Sequence, residues 1–83
     1  MKHARPDYNR FQDPAGKIPD DEPVFLLRGQ DRCAPYALRA YAAFVEMSAG
    51  PADVVEATRA WAEEMEKWQR DRGGKLPDLA AAT

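Results

Sequence analysis

"PYALRAYAAFVEMSAGPADVV" (Pro35–Val55) decides how the chain folds. Ala37, Leu38, Tyr41, Ala42, Phe44, Val45 and Met47 recur at the spacing of one helix turn. Leu38–Tyr41–Val45 and Ala37–Phe44–Met47 lie on adjacent faces, so the apolar stripe is wide and calls for burial on more than one side. Pro35 suits the first helical position and Gly50 suits the stop. Pro51 then opens a second helix that runs to about Arg72, with Asp53 in its first turn and Arg70 and Arg72 in its last, the signs the helix dipole favours. Only Ala49 and Gly50 separate the two, which predicts an antiparallel αα-hairpin.

Along the second helix Val54, Thr58, Trp61, Met65 and Trp68 step by four, three, four and three, a heptad-type seam that reads as core or dimer interface, with a partner-binding groove lined by Trp61, Met65 and Trp68 as the alternative. Glu63–Lys67 and Glu66–Arg70 are i,i+4 pairs in the favourable order. Gly73–Gly74 ends the helix, and residues 73–83 read as a C-terminal tail.

Upstream, "VFLL" (Val24–Leu27) is too short for a helix and stops at Gly29, so it reads as a buried strand. "PDDEP" (Pro19–Pro23) is a stiff acidic connector, because each proline confines the residue before it to extended shapes. "DPAG" (Asp13–Gly16) is a turn signal, and with Tyr8, Phe11 and Ile18 around it the stretch reads as a short β-hairpin. Residues 1–7 read as a flexible N-terminal arm. The expected architecture is a small single α+β domain over residues 8–72: a short β-hairpin and one further strand packed on the αα-hairpin.

With 83 residues the chain buries only about 60% of its unfolded surface. A single cysteine, Cys33, rules out an intrachain disulfide, and a single histidine, His3, makes a metal site unexpected. Self-association, most simply a C2 dimer, remains as a way to bury more surface. Twelve Lys and Arg against fourteen Asp and Glu argue against bulk nucleic-acid binding. No apolar segment of signal-peptide or membrane-span type is visible, so a cytoplasmic protein is expected.

"RGQDR" (Arg28–Arg32) is the segment with the most chemistry in it. It stands where a strand gives way to a helix, and the start of a helix favours anions. Arg28 and Arg32 can hold phosphate in bidentate fashion, Gly29 admits a close approach, and Gln30 offers a donor and an acceptor to a base edge. These four are the candidate ligand-binding residues. The competing reading is a plain strand–helix turn, with Gly29 as a bend, Asp31 as a cap and Arg28 paired to the acidic connector. Tyr36 and Tyr41 could stack a base but are equally placed for packing. Cys33 reads as a buried structural thiol rather than a nucleophile. No phosphate loop and no Ser–His–Asp set is present, so no enzyme and no cofactor is expected.

"IPDDEPVFLLRGQD", "APYALRAYA" and "AEEMEKWQ", spanning Ile18–Gln69, resemble a group of small accessory proteins of bacteriophage and prophage genomes. "DEPVFLLRGQD" is the most specific part, and a small residue stands at the place of Gly29 in that group. The resemblance transfers no activity. It implies a setting: a phage product in the host cytoplasm that acts by binding, with counter-defence as the favoured use by analogy. On that view the chain is a sponge for an anionic nucleotide-type immune signal. Its rivals are a protein-binding inhibitor that masks a host defence complex, as anti-CRISPR proteins do, and a structural or assembly component of the virion.

Overall fold

A computed structural model describes residues 1–8 and 13–78. Two helices pack against each other, and a short two-stranded parallel sheet accompanies them. The chain divides into two compact units, Leu27–Pro77 and Met1–Leu26 together with Asp78. The division falls within "VFLL", whereas the sequence suggests boundaries after residues 7 and 72.

In the Leu27–Pro77 unit, α1 is Ala34–Met47 with Pro35 in its first turn, where a missing N–H costs nothing. Its end differs from expectation in one respect. The left-handed residue is Ala49 (φ 55°), not Gly50. The Ala49 N–H donates to the Glu46 carbonyl (3.1 Å) and the Gly50 N–H to the Val45 carbonyl (2.8 Å). This pair of bonds is the Schellman closure, which satisfies carbonyls that the helix leaves open. Gly50 is needed for room: a Cβ there would lie 2.6 Å from Val45 Cγ1 and 3.1 Å from the Val45 oxygen.

Helix α2 is Ala52–Arg72. Pro51 precedes it in extended conformation (ψ 130°), and its carbonyl accepts the N–H groups of Val54 and Val55. Asp53 sits in the first turn and Arg70 and Arg72 in the last, as the dipole argument requires. Gly73 (φ 88°) stops the helix and donates to the Gln69 carbonyl at 2.8 Å.

The side chains these helices bury are mostly small: Ala34, Pro35 and Ala42 on α1, and Val55, Ala62 and Met65 on α2. The buried side of α2 is therefore rotated from the seam that its aromatic residues suggest. Met65 belongs to both, but Val54, Trp61 and Trp68 remain 37%, 62% and 41% exposed. One flank of the pair is closed by charge. Arg39 meets Glu66 through two hydrogen bonds of 2.6 and 2.9 Å, and Arg59 reaches Glu46 at 3.4 Å. Glu66 thus pairs across the helices rather than with Arg70 along its own. The Arg39 hydrogen bonds hold the Glu66 carboxyl below the usual range, against the opposing effect of desolvation, and the Arg39 charge adds to the lowering.

In the Met1–Leu26 unit, β1 (Lys2–His3) pairs in parallel with β2 (Pro23–Val24), and the Lys2 N–H donates to the Glu22 carbonyl at 2.8 Å. Residues expected in a loose arm thus form a strand. Arg5 organises this unit: it takes both oxygens of Asp7 (2.7 and 3.0 Å), reaches Asp78 at 3.5 Å and lies 4.7 Å from the centre of the Tyr8 ring. The "DPAG" turn forms, with the Gly16 N–H on the Asp13 carbonyl and the Ile18 N–H on Asp13 Oδ2. The first arm of the expected β-hairpin lies largely outside the described residues, and Tyr8 belongs to a 3-10 turn (Pro6–Tyr8). The buried strand expected over "VFLL" is corrected to Pro23–Val24, and Phe25 is exposed. The parallel partner is only two residues long, so among the described residues the pairing ends at Val24.

Two measurements check this account. Ala49→Gly relieves a left-handed alanine and raises unfolding stability by about 1 kcal/mol, whereas Gly50→Ala lowers it by about 1–3 kcal/mol, both read from urea denaturation. The depressed Glu66 carboxyl contributes stability that is complete above its unfolded pKa of about 4.3 and is lost as pH falls through its lower folded value. The wild-type advantage over Glu66→Gln therefore shrinks on acidification below about 4.3 and vanishes once the carboxyl is protonated in both states.

Candidate functional site

"RGQDR" forms two consecutive turns. The Asp31 N–H donates to the Arg28 carbonyl and the Ala34 N–H to the Asp31 carbonyl, each at 3.0 Å. Asp31 Oδ1 accepts the Cys33 N–H at 2.7 Å, the capping role its position suggests. Lys75 lies alongside: its N–H donates to the Gln30 carbonyl (2.8 Å), and its carbonyl accepts the Arg32 N–H (2.9 Å). Residues 73–78, expected in a tail, thus contribute a parallel bridge between Asp31 and Lys75.

Helix α2 holds this turn by one side chain. Gln69 Nε2 donates to the carbonyls of both Gly29 (2.8 Å) and Asp31 (2.9 Å). An amide suits the task, because its two N–H groups can serve two carbonyls at once. Gly74 is packed close by, where a Cβ would stand 3.1 Å from Arg32 Cγ and 3.2 Å from the Gln69 side chain.

The four predicted site residues do not share one cavity. Arg28, Gly29 and Gln30 line a cavity of about 420 Å³ with Leu27, Trp61, Glu64, Met65 and Trp68. Arg32 lines another of about 630 Å³, with Tyr36, Glu66, Gln69 and Arg70 among its walls. The turn itself separates them: Gly29 and Gln30 occupy its centre, and residues beyond Asp31 lead toward α1. Among the described residues Arg28, Arg32 and Arg70 make no ion pair within the Leu27–Pro77 unit. Cys33, expected as a buried thiol, is exposed. It lies just before α1, while the neighbouring Ala34 and Pro35 take the buried positions.

Trp61 and Trp68, whose spacing favours a packed seam over a groove, line a cavity instead, together with Met65. The available signal was their seven-residue spacing, which puts both on one side of α2. Gln69, the residue that fixes the turn, gave no local signal, since its two acceptors lie about forty positions away. A further apolar cavity of about 500 Å³ opens between the helices beside Leu27, Leu38, Tyr41, Ala57, Thr58 and Trp61. Among the described residues, no group of His, Cys, Asp and Glu is arranged to hold a metal ion, and no helix is long and apolar enough to cross a membrane.

Gln69→Ala leaves two half-buried carbonyls without their donor and should lower stability by about 1–3 kcal/mol, with faster amide exchange at Asp31 and Cys33 as the local readout. Compared with family models, curated proteins and solved structures, the chain matches none.

Proposed function

We propose that the chain is a non-enzymatic binding protein that captures an anionic nucleotide-type ligand in the cavity between the Arg28–Asp31 turn and α2. The observation that carries this reading is that Arg28 and Gln30 share about 420 Å³ with two partly exposed tryptophans. That volume lies within the range of about 300–1,000 Å³ that small ligands occupy. Each group has a task. The Arg28 guanidinium, unpaired within the described chain, meets a phosphate. Trp61 and Trp68 offer indole faces on which any base can stack. Gln30 has a donor and an acceptor for a base edge. Glu64 shares the cavity, so it limits the negative charge the site tolerates and suits a ribose hydroxyl or base amine as its partner.

The scaffold under this site is an antiparallel αα-hairpin. The ion pairs support it: from Arg39–Glu66 to Glu46–Arg59 the contact advances seven residues on α1 and retreats seven on α2. Resemblance to phage accessory proteins supplies the setting, in which the protein acts in the host cytoplasm and removes an immune signal. A second reading, masking of a host defence protein, is favoured by the apolar cavity beside Tyr41 and Trp61, whose side chains are 58% and 62% exposed.

Calorimetry against a panel of linear and cyclic nucleotides tests the proposal. Wild type should bind at least one of them. Arg28→Ala and Trp68→Ala should each weaken binding tenfold or more, given about 1–3 kcal/mol for a stacked base. Arg32→Ala should leave affinity unchanged, because Arg32 lines the other cavity. Absence of heat from every nucleotide would remove the ligand reading and leave protein masking in its place.

A further inference from the structure

Arg32 and Arg70 line one cavity of about 630 Å³ together with Tyr36, Glu66 and Gln69. The polar groups nearest the two arginines are already committed elsewhere. Glu66 gives both carboxylate oxygens to Arg39, at 2.6 and 2.9 Å, so it does not neutralise Arg70, its i,i+4 neighbour on α2. Gln69 directs its amide nitrogen to the Gly29 and Asp31 carbonyls. Asp31, next to Arg32 in the chain, takes the Cys33 N–H on Oδ1 at 2.7 Å. Within the Leu27–Pro77 unit neither Arg32 nor Arg70 makes an ion pair among the described residues. Arg70 is nonetheless near enough that its charge helps to lower the Glu66 carboxyl. Arg39 cancels Glu66, and the cavity keeps the two positive charges of Arg32 and Arg70.

Arg32 is also held in place. Its N–H donates to the Lys75 carbonyl at 2.9 Å, and a Cβ on Gly74 would stand 3.1 Å from its Cγ. A fixed stem that carries an uncommitted guanidinium loses little freedom when a ligand arrives. We propose that this cavity binds a phosphate monoester, with Arg32 and Arg70 on its dianionic group, and that the Arg39–Glu66 pair keeps the site open by holding Glu66 away from Arg70. A phosphate monoester carries about −1.5 to −2 at neutral pH and so matches both guanidinium charges, whereas a carboxylate leaves one unmatched. Arginine offers phosphate paired N–H···O bonds from one planar fork. The cavity is larger than a phosphate group alone requires, and Tyr36 in its wall gives the organic part of the ester an exposed ring to lie on.

This site goes beyond the nucleotide reading and does not depend on it, since the Arg28–Asp31 turn lies between the two cavities. Inorganic phosphate, phenyl phosphate and benzoate, titrated at about pH 7.5, where the monoester is close to a dianion, test it through the arginine Nε–H resonances. With both phosphates the Arg32 and Arg70 signals should move together and saturate, while that of Arg59, paired with Glu46, stays in place. Benzoate should bind at least tenfold more weakly than phenyl phosphate. Arg32→Gln and Arg70→Gln should each weaken phenyl phosphate binding tenfold or more with wild-type helix content, because both side chains are exposed. Arg28→Ala should leave the Arg32 and Arg70 shifts unchanged, so failure of the nucleotide site does not touch this result. Arg39→Gln should weaken binding as Glu66 turns to Arg70, and adding Glu66→Gln should restore it, a rescue that a merely structural role for Arg39 does not give. Shifts that never saturate, that Arg59 shares, or that benzoate matches overturn the site. A folded double variant without the rescue overturns the role given to the Arg39–Glu66 pair. If Arg39→Gln proves unfolded, the Arg32→Gln and Arg70→Gln titrations decide alone.

Discussion

Close packing through small side chains governs the Leu27–Pro77 unit. Ala34, Ala42 and Ala62 are fully buried, and among the described residues Pro35, Val55 and Met65 add the larger side chains. Helices that meet through alanine approach closely, and packing gains come from many short contacts rather than from a few bulky side chains. The cost is that Trp61, Trp68 and Tyr41 have no place between the helices. They stand along one side instead, where they line two cavities. The other side is sealed by two cross-helix ion pairs, which fix the helices' rotation without adding to the core. A protein of this size has little stability to spare. An apolar flank on such a scaffold therefore points to a surface used for contact.

The turn before α1 depends on the same packing at one remove. Gln69 occupies the buried side of α2, one turn beyond Met65, and its amide reaches two carbonyls of the "RGQD" turn. The turn is thereby fixed at the end of the helix pair, with Arg28, Gly29 and Gln30 toward the tryptophans and Arg32 toward Tyr36 and Arg70. A segment that looks like one binding motif in sequence is, in three dimensions, the divider between two cavities. The backbone of the motif has a structural task, held by Gln69 and Lys75. Its two arginine side chains have none within the described chain, which is why they remain the natural place to look for a ligand.

Signals in the sequence are legible where the physics is local. Pro35 and Pro51 at helix starts, glycines near helix ends, Asp53 and Arg72 at opposite ends of α2, the "DPAG" turn and the Asp31 cap all follow from steric and dipolar rules that act within a few residues. Where two residues compete for one role, local rules were not enough. Gly50 looks like the left-handed stop, yet Ala49 takes that conformation because Gly50 is needed where the chain passes Val45. The strand expected over "VFLL" shows the same limit, since a strand exists only where a partner does, and Lys2–His3 offers just two residues.

The sequence by itself determined that two helices follow one another between about Pro35 and Arg72 with a short link near Gly50, and that no intrachain disulfide braces them. These are consequences of period, backbone restriction and composition. Tertiary structure alone decided which face of α2 is buried. A heptad count weighted by hydrophobicity selects the tryptophans, but close helix packing selects small side chains, and the rotation between those answers leaves Val54, Trp61 and Trp68 exposed. Tertiary structure also divided Arg28 from Arg32 and brought Gln69 to Gly29, because contacts across forty residues carry no trace in local spacing.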